Sequence, residues 1–225
     1  MTVTTVNADL LGPLLRRLTG DEKHAPSAHS TLDVLWVLYD RILRITPETV
    51  DEPDRDRFLL SKGHGPAAYY AVLAAKGFIP LEWLDDFGGF HSRLGQHPDR
   101  TMIPGVEVGT GSLGHGLGLA VGTALGLRAQ GLSSTVFVLL GDAELDEGSN
   151  HEAIAYAGAT RLPLTAIVID NQSSTHGWPG GIAARFIGWD ASIVDGHDHE
   201  AVFHALQKRD LDRPRLVIAH VERRF

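Results

Sequence analysis

The apolar positions of the chain change their period about halfway along. Between 31 and 45 apolar side chains stand at 32, 35, 36, 38, 39, 42 and 43, among others, a spacing that lines one face of a helix. Ser30 or Thr31 stands where a cap is needed, and Pro47 stands where the helix should end. A second helix is predicted across 66–76, with Gly77 in the C-terminal capping position. A third, 113–130, carries Gly114, Gly116, Gly118 and Gly122. Each glycine costs up to about 1 kcal/mol relative to alanine inside a helix, so the pattern predicts a backbone that something approaches closely. From Thr135 onward the apolar runs become short, continuous and β-rich, at 135–140, 164–169 and 215–221, as in strands buried on both faces of a parallel sheet. Helical patterns at 147–160 and 199–208 and a shorter strand at 191–194 fill the intervals. The alternation predicts an α/β fold, an open, mostly parallel sheet covered by helices on both faces, in one domain spanning 1–225.

Composition narrows the partners. The formal net charge of −8, with no block of Lys or Arg, argues against a nucleic-acid or anionic-membrane surface. An anionic ligand would have to be held by a local site. With no cysteine, the chain offers no disulfide, no thiolate metal ligand and no cysteine nucleophile. Neither a basic leader nor an apolar run approaching about 18 residues is present, so a soluble cytoplasmic protein is expected.

In a doubly wound sheet, ligands collect at the carboxyl ends of the strands. The first run there ends in Gly141-Asp142 and the second in Asp170-Asn171. One carboxylate and one amide oxygen, joined by a backbone carbonyl, a water and phosphate oxygens, would complete the shell of a magnesium ion. Taken alone, Asp142 could equally cap a helix and Asn171 open a turn. The chain has 12 histidines but no HExxH or comparable zinc-ligand spacing. His64 stands out because Gly63 and Gly65 let backbone and imidazole come close to a ligand.

The run Gly141-Asp142-Ala143-Glu144-Leu145-Asp146-Glu147-Gly148, with His151-Glu152-Ala153 and Asp170-Asn171 after it, resembles the thiamine diphosphate motif of transketolases. Ser61-Lys62-Gly63-His64-Gly65, Gly95-Gln96-His97-Pro98, Gly111-Ser112-Leu113-Gly114 and Asp195-Gly196-His197-Asp198 follow that family's order. The resemblance implies Asp142, Asn171 and the backbone oxygen of Ser173 as Mg²⁺ ligands. It implies His64, Gly111, Leu113, Gly141, Asp142, Ala143 and Asn171 along thiamine diphosphate. His24, His64, His97 and Glu147 match the catalytic positions, whereas His197 and Asp198 are assigned to the fold. Two departures stand out: Ala143 replaces the second glycine of the usual GDG turn, and the stretch from Asn171 to Asp195 is short.

The family's aminopyrimidine-binding glutamate lies on a second module with no counterpart in this sequence. The resemblance therefore implies the N-terminal subunit of a two-subunit enzyme, completed by a C-terminal pyrimidine-binding subunit in an α2β2 heterotetramer. Such an enzyme moves a two-carbon ketol or acyl unit from a ketose or 2-oxo acid donor to an acceptor carbonyl. Two alternatives remain at this point: the α subunit of a 2-oxo acid dehydrogenase, which the SKGHG and GQHP segments disfavour, and a degenerate subunit that binds cofactor without turnover.

Overall fold

A computed structural model describes residues 8–18, 25–63, 66–208 and 212–221. Its centre is a five-stranded sheet of β1 (Arg57–Leu60), β2 (Val136–Gly141), β3 (Leu164–Asp170), β4 (Asp190–Asp195) and β5 (Arg215–His220). The spatial order is β1-β2-β3-β5-β4 and every pairing is parallel. Successive side chains alternate between two cores. Phe58, Phe137, Ile167 and Val217 face α1 (Leu11–Arg17), α2 (Ala25–Val37), α3 (Ala67–Ala75) and α7 (His199–Gln207). Leu59, Val138, Val168 and Ile218 face α4 (Gly116–Ala129) and α5 (Gly148–Ala159). Burial on both faces explains why β2, β3 and β5 are mostly apolar runs, while the edge strand β4 alternates half-buried with exposed. The expected α/β architecture is present.

Several boundaries differ from expectation. The first long helix begins at Ala25, because Pro26 is tolerated in a first turn. Ser30 and Thr31 therefore lie inside it, buried, rather than at its cap position. It ends through a π-helical turn, Leu38–Ile42, closed by the Leu43 N–H on the Leu38 carbonyl. Pro47 instead opens a separate turn, Pro47–Thr49, boxed by the Thr46 and Thr49 side chains. The glycine-rich helix starts at Gly116 rather than 113, since Gly114 is left-handed with φ +82°. Strand β1 was not expected: its apolar part is three residues long, flanked by charged residues, and paired on one side only.

The buried Asp56 joins the amino ends of β1 and β2. Its carboxylate accepts from the Arg44 backbone and side chain and from the Thr135 N–H. That leaves the carboxyl ends of β1, β2 and β3 level on the opposite side, where the loops converge. Among the described residues, no helix is long and apolar enough to cross a membrane.

Candidate active site

Strand β2 ends at Gly141, and Asp142 turns the chain into a 3₁₀ segment, Ala143–Asp146, which leads into α5. Asp142 is 2% exposed. Its carboxylate accepts the Ser173 N–H at 2.7 Å, the Ser174 N–H at 3.0 Å and the Ser173 hydroxyl. These donors come from the loop after β3. Gln172 takes φ +57°, one of only two positive values among described non-glycine residues, and this left-handed step re-aims the loop at Asp142. Asn171, immediately before it, has a buried side-chain carbonyl oxygen with no partner. The structure thus brings Ser173 onto Asp142 through its N–H and hydroxyl, with Asn171 on the neighbouring strand end. The other positive φ belongs to Arg161, so φ at Ala143 is negative and its methyl group introduces no backbone strain.

Glu144 is a larger organiser than its sequence position suggested. One carboxylate oxygen accepts the Gly114 N–H at 3.0 Å and the Ser61 hydroxyl; the other accepts the Gly141 N–H at 3.2 Å. The Ser61 oxygen in turn accepts the Gly116 N–H at 3.1 Å, and the Glu144 carbonyl accepts the Asn150 side chain at 2.7 Å. Burial pushes the Glu144 carboxyl up from its ordinary range, and the bonds from Ser61, Gly114 and Gly141 oppose that shift. Beside it, the Lys62 stem crosses Gly141. Burial pulls the Lys62 ammonium down to about 8, although Asp142 and Glu144 favour its charge.

A second wall is formed by Gly63, His97 and Gly111. His97 Nδ1 lies 3.2 Å from the Gly63 carbonyl. A Cβ on Gly111, whose φ is +126°, would lie 3.4 Å from the His97 ring, and one on Gly63 would lie 2.7 Å from Thr110 Oγ1. Leu113 and Glu147 are both solvent-exposed, on either side of Gly114. The close approach expected along the glycine-rich segment is found at Gly114, against Glu147, and at Gly116, against Ser61. Gly118 and Gly122 have no atom within 4 Å of a Cβ position. His24 and His64 lie outside the described residues. His197 and His199 both pair with Asp33 of α2, and Asp198 caps α7, so these residues join elements as the fold assignment expected.

The loop after Ser173 is fastened by Asp146. Its carboxylate accepts from the Ser174 hydroxyl, His176 Nδ1, the Trp178 indole and Arg185 Nη2, at 2.9–3.1 Å. Burial raises the Asp146 carboxyl, but the bonds from Ser174 and His176 and the charge of Arg185 outweigh it and hold it below its ordinary value. A cavity of about 300 Å³ opens between Asp142, Asp170, Gln172, Ser174, Trp178 and Arg185. Sequence reading missed Glu144, Lys62, Asp146 and Arg185 as site residues. Glu144 and Asp146 sit inside the very run that carries the transketolase resemblance, but nothing local marks a carboxylate whose partners are distant in sequence.

The profile described as "Transketolase, thiamine diphosphate binding domain" matches residues 19–221. The chain is 57% identical to "Ferredoxin fas2" of Rhodococcoides fascians, over 98% of this chain and 74% of that protein. It is 35% identical to "6-deoxy-6-sulfo-D-fructose transketolase subunit SqwG" of Clostridium sp. (strain MSTE9), over 91% of this chain and 81% of that subunit. The solved transketolase of Campylobacter jejuni superposes with a TM-score of 0.76 at 28% identity, covering 95% of this chain. This chain spans only 38% of that one. The ferredoxin name has no footing in these residues: a chain without cysteine cannot hold a thiolate-ligated iron–sulfur cluster.

Two outcomes follow from the buried charges. Glu144→Ala leaves the Gly114 and Gly141 donors without an acceptor and should lower stability by roughly 3 kcal/mol or more. A urea midpoint that falls at unchanged m-value measures this, and an unmoved midpoint contradicts it. Lys62 folds with its proton affinity depressed from 10.5 to about 8, so its charge penalises the folded state most below pH 8. That penalty fades as pH rises towards 10.5, where the unfolded chain also loses the proton. Lys62→Met should therefore gain stability on the native chain below pH 8. The advantage should shrink by on the order of 1 kcal/mol per pH unit above it, in urea titrations at several pH values, whereas parallel pH curves would contradict the buried-charge account.

Proposed function

This chain belongs to the transketolase family, and from that premise we propose that it is the N-terminal, diphosphate-binding subunit of a two-subunit enzyme. The enzyme transfers a two-carbon ketol or acyl unit from a ketose or 2-oxo acid donor to an acceptor carbonyl. The observation that carries this reading is the meeting of the β2 and β3 ends, where Asp142 takes the Ser173 donors beside an Asn171 oxygen that has no partner.

Those residues fit a magnesium-bound diphosphate. An ionised carboxylate has about four acceptor sites, so the three donors on Asp142 leave room for a cation. The orphaned Asn171 oxygen and the Ser173 carbonyl complete a hard, all-oxygen set, which suits Mg²⁺ with phosphate oxygens and water filling the remainder. When bound, thiamine diphosphate supplies the carbanion stabilisation. Gly141, Ala143, Gly111 and Leu113 line the approach with backbone. Ala143 keeps the N–H that a glycine would offer, which weakens one of the grounds for a degenerate subunit.

His97 is assigned to the donor hydroxyls. With Nδ1–H donating to the Gly63 carbonyl, Nε2 is the ring nitrogen left as the acceptor, the form that can take a hydroxyl proton. By the family resemblance, His64 is proposed to share that role and His24 to act on the substrate side. Glu147, exposed at the start of α5, is proposed to enter a hydrogen-bond network between paired active sites. The partner is a C-terminal pyrimidine-binding subunit, in an α2β2 assembly within the cytoplasm. Support for a partner comes from the relative named as a transketolase subunit and from Leu113, Leu119 and Tyr156, which stay 40–48% exposed around the open Gly118 and Gly122.

Asp142→Asn and Asn171→Ala should each remove Mg²⁺-dependent binding of thiamine diphosphate in calorimetry on the assembled complex. Unchanged affinity in both variants would reject the metal assignment. In a donor-ketose assay with Mg²⁺ and thiamine diphosphate, this chain alone should show no turnover, and adding the pyrimidine-binding subunit should restore it. General acid–base assistance of about 10²–10⁴-fold is missing until that subunit is present. Robust turnover by this chain alone would sink the two-subunit reading.

A further inference from the structure

Arg185 ends α6 (Gly181–Arg185), on the loop that returns over the carboxyl ends of β2 and β3. Its side chain is 6% exposed. A guanidinium carries five N–H groups, but here Nη2 alone has a hydrogen-bond partner, Asp146 at 3.1 Å, while Nε and Nη1 are buried without one. The Trp178 ring covers the group, its centroid 4.3 Å from Cζ. An arginine that is mostly buried, held flat by an indole and left with unspent donors is an unfinished anion site. The single carboxylate beside it does not finish it, because Asp146 also accepts from Ser174, His176 and Trp178.

Where the missing acceptor belongs follows from the cavity. Arg185 and Asp142 line the same space of about 300 Å³, together with Asp170, Gln172 and Ser174. Its walls bring carboxylates to a chain whose net charge is already −8, so a diphosphate entering there needs local positive charge besides the metal. Lys62 supplies charge from the sheet side, near Asp142 and Glu144. On the loop side, Arg185 is the cation that lines the cavity.

We propose that Arg185 is a binding residue for the diphosphate group, donating from the nitrogens that Asp146 does not engage, with Asp146 and Trp178 as the residues that position it. The assignment rests on the diphosphate reading of the Asp142 site. It also gives the short loop after Asn171 a purpose, since a few residues clamped to Asp146 deliver one charge to the cavity. A sugar phosphate would present similar chemistry, but a cavity shared with Asp142 favours the metal-bound diphosphate.

Titration calorimetry of the purified chain with inorganic pyrophosphate, with and without Mg²⁺, tests this, with ribose 5-phosphate and unphosphorylated thiamine as further arms. Arg185→Gln should weaken magnesium pyrophosphate by about ten- to a hundredfold, the scale of a lost charge-assisted hydrogen bond. Arg185→Lys should recover part of the loss, which a merely structural role would not predict, and thiamine should be indifferent to both substitutions. Thermal melts without ligand establish that the variants are folded, and the lysine variant carries the test if the glutamine variant is not. Pyrophosphate binding that is abolished by Asp142→Asn yet unchanged in Arg185→Gln overturns this proposal and leaves the metal site standing. Dependence on Arg185 for ribose 5-phosphate alone also overturns it. Failure of the native chain to bind magnesium pyrophosphate at millimolar concentration overturns both.

Discussion

A carboxylate buried where two strand ends meet the turn before α4 holds this site in shape. Taking Glu144 out of water is costly, and the cost is met only because its two oxygens accept from Ser61, Gly114 and Gly141 at once. Those donors belong to the end of β1, to the turn before α4 and to the end of β2. One residue therefore sets the spacing between the Ser61–Gly63 loop, the Gly111–Gly114 loop and the turn at Asp142. The same arrangement dictates two glycines. At Gly116 a Cβ would collide with Ser61, and at Gly114 with Glu147, so neither helix α4 nor its leading turn could come this close with any larger residue.

Legibility in the sequence followed the range of the interactions. β2, β3 and β5 were visible because strands covered on both faces must be apolar throughout, which is a local property of the chain. Asp142 and Asn171 were visible because strand ends are fixed once strands are. β1 was not, since three apolar residues at an edge fall below any periodic signal. The start of the first long helix was missed because Ser30 and Thr31 have the chemistry of caps, and only packing against Lys62 and the core shows that they are interior. Glu144 was missed for the strongest reason: its bond to Ser61 spans 83 positions, and no window of sequence contains both partners. Of the predicted site residues, His97 and Gly111 come together beside Gly63 as one wall and Asp142 with Ser173 as another.

The electrostatics of the site are asymmetric by construction. Asp142, Glu144, Asp146 and Asp170 crowd the strand ends, and two buried cations face them, Lys62 from the sheet and Arg185 from the loop. Burial works against the charge on both cations, and the neighbouring carboxylates offset only part of that. Such an arrangement is poor as a stability device, because each ion gives up much of its hydration. It suits a multiply charged ligand, since charges already fixed in place need little reorganisation when the ligand arrives.

That asymmetry changes the meaning of the shortened stretch between Asn171 and Asp195. Read as sequence, it looks like a covering loop trimmed away. In the fold, the left-handed Gln172 throws the chain back onto Asp142, Asp146 gathers four donors from the next dozen residues, and Trp178 closes over Arg185. A long loop covers a ligand by its bulk, at the entropic expense of ordering many residues. A short one tied down through a single carboxylate leaves less of that expense to be met. On the proposed diphosphate reading, the departures at Ala143 and in this loop change only how the anion is surrounded: the backbone donor at Ala143 is retained, and an oriented guanidinium stands in for coverage.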